Sequence, residues 1–407
     1  MRSRRQLANA AIYLVFSIGG SALGFASVLV LTRLLAPQEY GRIGLFFSML
    51  YFVTPLVSLS CDGLIAVNKS TLSPENYLRF QQTCVGLGLT CFAACEAVML
   101  VLVATHVLSD PLLAVAPLFA LIRLFTGMAG TEYIAEQRAM AYGALTLANS
   151  ALALVLTVAM SKWAGGSAVY RVLAMLAADV SLLAVRYWGR PDVLLKPRFK
   201  TEFTRQVLQF GIPSAIAVAG GWSLNEADKV IVAGVRGLDA TGIYTAAAAL
   251  AGVMMTFNQS LTNALYPGLF RSLGTGERAT RWVLTHYVVS FTGLSTLFAA
   301  LAIAAYMLFA HLILPARYLG ASQLFVALML AGVAVSFYRP FGLVADFRKL
   351  ARMRAVAVIV GGLVTVSIGY FGVRNGSLLW APAGIAIGYF TAAMVLLVGI
   401  KTLGAQR

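Results

Sequence analysis

Phe16–Gly44 reads FSIGGSALGFASVLVLTRLLAPQEYGRIG, and Ala217–Tyr244 reads AVAGGWSLNEADKVIVAGVRGLDATGIY. Laid over each other at a shift of 201 positions, Gly19-Gly20 falls on Gly220-Gly221 and Gly41 falls on Gly242, with no gap. A second match, at shift 210, sets Ala135-Glu136-Gln137-Arg138 over Ala345-Asp346-Phe347-Arg348. Each match is short, but the shifts are nearly equal and close to half of the 407 residues. They point to an internal duplication, so the fold is read as two similar halves.

Composition says what kind of halves these are. Sixty per cent of the residues are hydrophobic and only 11% are charged. Soluble domains carry roughly 25% charged residues, so this chain lacks the polar surface to remain in water. Runs of about 20 apolar residues recur along its whole length. They predict twelve spans, at about 7–35, 41–66, 82–107, 111–130, 139–160, 168–187, 207–235, 241–266, 282–313, 318–340, 353–373 and 376–400. The expectation is an all-α polytopic membrane protein of two six-helix lobes, 1–187 and 207–407, joined by a basic linker, 188–206. Six is even, so both halves enter from one face, which implies a parallel pseudo-two-fold repeat of the kind found in rocking transporters.

The chain is strongly basic, with 31 Lys+Arg against 15 Asp+Glu. With both termini placed in the cytoplasm, 23 cations fall on the inner side, Arg123 among them although it lies inside a span, and seven at outer ends, leaving Lys229 within the membrane. The inner set includes Arg2, Arg4, Arg5, the loop from Arg186 through Arg190 to Arg205, Arg278, Arg281 and Arg407. That asymmetry is the positive-inside signal of a plasma-membrane protein, and it accounts for most of the charge without nucleic acid. The loops are too short for a soluble catalytic domain. Cys61, Cys84, Cys91 and Cys95 all fall in spans and imply no disulfide framework. His106, His286 and His311 show no metal spacing, and phosphate-loop, nucleophile-elbow and zinc-protease motifs are absent. No cofactor and no enzymatic activity are expected.

Function is then sought among charges placed inside spans, where each costs a few kcal/mol. Glu96 lies in span 3, Arg123 in span 4 and Asp179 in span 6. Asn225, Glu226, Asp228 and Lys229 cluster in span 7, with Arg236 at its outer end and Arg33 at the matching end of span 1. On one continuous helix the four span-7 residues cover half of the circumference, a face suited to a wet cavity. Their counterparts under the 201 shift are Gly24, Phe25, Ser27 and Val28, so the shared fold does not require them. Gln259 and Asn263 share a face of span 8 and suit either sugar hydroxyls or neighbouring helices. Glu96 and Asp179 suit proton or sodium coupling, or pairing with Arg123.

Leu31–Val67, LTRLLAPQEYGRIGLFFSMLYFVTPLVSLSCDGLIAV, resembles the first two spans of Wzx-type polysaccharide flippases. These belong to the multidrug/oligosaccharidyl-lipid/polysaccharide (MOP) exporter superfamily. Arg33, Pro37, Glu39, Tyr40 and Gly41 carry the likeness, echoed by Asp228-Lys229, by Gly242-Ile243-Tyr244 and by Pro315–Ser322. The resemblance implies a monomeric, multi-pass protein of the bacterial inner membrane. Its cargo would be an undecaprenyl-diphosphate-linked oligosaccharide, an O-antigen or exopolysaccharide repeat unit, flipped by alternating access with possible ion coupling. Other polysaccharide-assembly proteins would be its partners. On this reading Arg123 and Lys229 contact the diphosphate, joined by Asn225, Gln259, Asn263, Arg33 and Arg236, while Glu96, Asp179, Glu226 and Asp228 are cavity or coupling acids. The competing readings are a drug or cation antiporter, a lipid II flippase of the same superfamily, and a membrane glycan polymerase or ligase.

Overall fold

The computed structural model describes residues 2–108, 110–188, 192–274 and 277–404. Of the cations counted above, Arg190 and Arg407 lie outside the described residues, as do the side chains of Arg2, Arg4, Arg5, Arg278 and Arg281, and that of His311. The described residues are helical in every regular element and contain no strand. The helices are α1 (Arg2–Leu34), α2 (Pro37–Ser58), α3 (Asp62–Thr71), α4 (Pro74–Ala104), α5 (Ala116–Ala135), α6 (Ala139–Ala164), α7 (Ala168–Tyr187), α8 (Asp192–Leu195), α9 (Thr201–Asn225), α10 (Ala227–Leu273), α11 (Glu277–Ile313), α12 (Ala321–Phe347), α13 (Ala351–Asn375) and α14 (Trp380–Gly404). Among the described residues eleven stretches are long and apolar enough to cross a membrane, and Ile18–Leu34 of α1 is a shorter apolar helix. Val98 and Val101 of α4, and Leu297 and Leu301 of α11, are each more than half exposed. Such ridges would be a liability in water and are the normal lipid-facing surface of a multi-pass membrane protein.

The chain divides into two compact units, one comprising 1–35 and 45–219, the other 36–44 and 220–407. In the first unit α6 packs on α1 and α7, while α5 packs on α3, α4 and α7. Local chemistry sets the helix starts. Ser73 accepts from the Asn76 amide ahead of Pro74 to open α4, and Ser167 accepts from the Val169 amide to open α7. The second span does not run straight. Leu59 and Ser60 both take positive φ (47° and 48°), ending α2 and starting α3 at Asp62.

In the second unit α14 packs on α12 and α13, and α10 packs on α11, α12 and α13. Lipid is as apolar as leucine, so close helix approach rests on small residues and packing. Gly361, Gly384 and Gly388 provide it along the α13–α14 seam. The long α10 is two helices, broken at Gly237, whose φ of 81° and ψ of 177° suit glycine alone. Ala36–Gly44, though from α2, packs here. A Cβ on Gly41 would meet the Leu238 carbonyl, and one on Gly242 would overlap the Pro37 carbonyl. Leu238 and Gly242 are Pro37 and Gly41 shifted by 201, so the crossing is reciprocal under the repeat.

The repeat is also visible in helix ends, where it corrects the alignment of the second match. Gln137 and Lys349 take φ of 56° and 57°, and each follows a helix that closes with the same pair of bonds. Arg138 N–H reaches the Tyr133 carbonyl as Leu350 N–H reaches Ala345, and Gln137 N–H reaches Ile134 as Lys349 N–H reaches Asp346. These are matching Schellman turns. They set the shift at 212 rather than 210, because backbone geometry and not residue identity fixes the register.

Candidate functional site

A cavity of about 370 Å³ opens within the first unit, walled by one stripe from each of three helices and by Thr54. Helix α5 contributes Arg123, Thr126, Gly127, Gly130, Thr131 and Ile134, spaced by threes and fours as one helical face requires. Helix α6 contributes Tyr142, Thr146 and Asn149, and α7 contributes Leu182, Leu183 and Arg186. Two guanidinium groups thus line the cavity together with hydroxyls and an amide, and no carboxylate is among its lining residues.

The acids stand behind the arginines. Asp179 is 1% exposed, and one of its oxygens lies 3.5 Å from Arg123 Nε. Its other oxygen accepts from Asn149 Nδ2 at 2.5 Å. The Arg123 contact is too long for a hydrogen bond, so Nε and Asp179 Oδ2 are both buried without a hydrogen-bond partner. The guanidinium also lies over the Phe119 ring, 5.4 Å from its centroid.

The other pair is tighter. Arg186 Nη2 donates to Glu132 Oε2 at 2.6 Å, and the fully buried carboxylate also accepts from Tyr77 Oη at 2.9 Å and Gln81 Nε2 at 2.8 Å. Three donors, Tyr77 and Gln81 of α4 and Arg186 of α7, therefore converge on one carboxylate of α5. One turn further, just past the end of α5, Glu136 meets Lys69 at 3.0 Å and Arg138 at 3.7 Å. Burial pushes the Glu136 carboxyl up, but Lys69, Arg138 and Arg186 outweigh it and hold it below the ordinary carboxylate range.

The second unit treats its charges differently. The backbone leaves the helix at Glu226 (φ −132°, ψ −18°), so Asn225 ends α9 while Asp228 and Lys229 open α10. The single polar face expected on a continuous seventh helix is therefore corrected, because the charges flank a break. Every one of them is engaged. Lys229 Nζ donates to Glu226 Oε2 at 2.6 Å and lies 3.9 Å from Asp228. Tyr244 Oη donates to Asp228 Oδ2 at 2.6 Å, and Tyr389 Oη donates to Asn225 Oδ1 at 2.6 Å. With two acids to one base, this cluster is net negative and offers no free cation to an anion.

The remaining expected site residues scatter. Arg236 donates from Nε to the Val373 carbonyl at 3.0 Å and from Nη2 to that of Gly376, closing the end of α13. Arg33 donates to Leu29 of its own helix at 3.0 Å. Gln259 and Asn263 do share a face, bonded to each other at 3.1 Å and exposed. Their neighbour Asn258 is buried, donating to the Gly332 carbonyl and accepting from Ser295. Glu96 is half-buried, and its Oε2 has no hydrogen-bond partner. Of the two acids considered for Arg123, it is Asp179 that the structure brings to it.

Sequence reasoning missed Glu132 and placed Arg186 in a basic loop. Arg186 is instead in α7, with its side chain 14% exposed and ion-paired. Its spacing of seven from Asp179 puts both on one face of α7, a signal available in the sequence.

A family model described as polysaccharide biosynthesis protein matches residues 30–281. No curated protein matches the chain. Among solved structures, an inward-facing multidrug resistance MATE family transporter of the MOP superfamily is 16% identical over 98% of both chains, with a TM-score of 0.66. Lipid II flippase MurJ in an inward closed conformation is 13% identical, over 95% of this chain and 87% of that one, with a TM-score of 0.67. A MATE in complex with MaD3S is 16% identical, over 98% and 95%, at 0.63. At such identities the likeness is one of fold, and it is the two-lobed helical fold expected above.

Proposed function

The chain belongs to the polysaccharide biosynthesis protein family, and from that premise we propose that it is a Wzx-type flippase of the MOP superfamily. Its cargo is an oligosaccharide carried on undecaprenyl diphosphate, moved across the bacterial inner membrane as the lobes 1–187 and 207–407 alternate access. Both termini are cytoplasmic, the protein works as a monomer beside other polysaccharide-assembly proteins, and it carries out no covalent chemistry. The observation that carries this reading is the cavity walled by Arg123 and Arg186 with no acid in its lining. Guanidinium groups pair with phosphate oxygens in a bidentate fork, and Arg123, 40% exposed and not hydrogen-bonded to its acid, can offer one, while Arg186, held by Glu132, adds a positive charge to the same wall. Thr126, Thr146 and Asn149 supply hydrogen bonds beside them, and Gln259 with Asn263 offers an exposed amide pair for sugar hydroxyls.

This reading revises the site. Lys229, Asn225 and Arg236 act in holding the second unit together, since their polar atoms already meet Glu226, Tyr389 and the α13 carbonyls. A cation antiporter would want acids on its cavity wall, which the two arginines oppose. Deleting the gene tests the proposal. Surface polysaccharide should disappear and lipid-linked repeat units should accumulate on the cytoplasmic leaflet. Unchanged surface glycan with new sensitivity to cationic drugs would reject it.

A further inference from the structure

Unlike Arg186–Glu132 and Lys229–Glu226, which are hydrogen-bonded at 2.6 Å, Arg123 and Asp179 make no hydrogen bond to each other. They approach to 3.5 Å, and the facing atoms, Nε and Oδ2, are both buried without a hydrogen-bond partner. The arginine side chain is 40% exposed and lines the cavity, whereas Asp179 is shut behind it. One partner can therefore turn toward a ligand while the other cannot follow.

We propose that Asp179 links anion binding at Arg123 to the uptake of one proton. This rests on the reading of the cavity as a diphosphate site. An anion entering the cavity engages the Arg123 guanidinium and draws its charge away from Asp179. A buried carboxylate left without its cation is strongly disfavoured relative to the neutral acid. A proton then passes from the water in the cavity to Asp179 Oδ2, whose lone pair is free, while Asn149 keeps its hydrogen bond to Oδ1. On release of the anion the proton returns to water and the ion pair re-forms. Anion and proton thus enter and leave together, and no other reactant is needed.

The surroundings leave this role to Asp179. On α5, Glu132 is held by Arg186, Tyr77 and Gln81, and Tyr133 lies under the Arg186 guanidinium. On α6, Asn149 faces Asp179 and does not titrate, Tyr142 lines the cavity, and Lys162 is exposed at the far end of the helix. On α7 itself, Arg171 donates to Thr157 and Arg186 to Glu132.

The test is binding of a water-soluble diphosphate diester, bearing a short prenyl chain and one sugar, to the purified full-length protein. Such a diester has no proton of its own to lose near neutral pH. Wild-type affinity should rise by up to about tenfold per unit fall in pH. Calorimetry in two buffers of different ionisation enthalpy should find close to one proton taken up per diester. Asp179→Asn should bind with the wild-type low-pH affinity at every pH, and Asp179→Glu should restore the slope. A pH-independent wild type, or a slope retained in Asp179→Asn, overturns the linkage. Should Asp179→Asn fail to fold, the wild-type proton count decides alone. Arg123→Gln separates the two readings. If it binds as tightly as wild type, the anion site itself is wrong, whereas lost binding beside a pH-flat wild type keeps the site and rejects only the proton.

Discussion

Two clusters of intramembrane charge invite comparison, the arginines of the first unit and the Asn225–Lys229 group of the second. In the second, Lys229, Asp228 and Asn225 each have a partner at 2.6 Å or are bonded by a tyrosine at that distance. In the first, Arg186 is hydrogen-bonded to Glu132 at 2.6 Å, but Arg123 and Asp179 stop at 3.5 Å beside open space. Charge inside a membrane is thus no single signal. A fully bonded group is structural, because any movement must first break strong contacts, and an unfinished pair beside a cavity has somewhere to go.

The comparison can be broken in four places. Glu132→Ala should have the largest effect, since it leaves the Arg186 guanidinium without its carboxylate and Tyr77 and Gln81 without their buried acceptor. Removing one partner of a buried pair costs about 3–5 kcal/mol, so little folded protein should be recovered by fluorescence-detected size exclusion. Arg123→Gln should leave the protein level intact but weaken diester binding roughly a hundredfold, and surface polysaccharide should fall in cells. Normal export by this variant would erase the distinction drawn above.

Tyr244→Phe probes the other side of the contrast. Asp228 would lose one hydrogen bond, worth about 1–3 kcal/mol where the acceptor is buried. Thermal unfolding should come a few degrees earlier while diester affinity stays unchanged, and a change in affinity would make the second cluster part of the site. The smallest effect concerns Glu136. Its carboxyl is held below the ordinary value of 4.5 in the folded protein, so it stabilises above that pH and the contribution is lost as pH falls through the folded value. Acid unfolding of Glu136→Gln should therefore show a slightly weaker pH dependence than wild type below about 4.5, read by tryptophan fluorescence.

Much of this was legible early for a physical reason. Membrane spans announce themselves because each needs a long apolar run whatever it packs against. Gly19-Gly20 with Gly220-Gly221, and Gly41 with Gly242, announced the repeat, and the Gly41–Gly242 crossing needs glycine because two backbones touch there. Arg123 and Asp179 stood out as charges in apolar helices. Their partnership did not, as 56 residues separate them, and neither did the break at Glu226, which carries neither proline nor glycine. Arg186 was misread because a cation at a helix end looks the same whether it points to water or to a carboxylate.

By itself, then, the sequence determined the class of solvent, the two-lobed run of apolar helices and the short list of costly charges, since all of these depend on composition and local spacing. Only the tertiary structure decided which of those charges are finished bonds and which face a cavity. That depends on distances between side chains far apart in the chain, which no local pattern encodes.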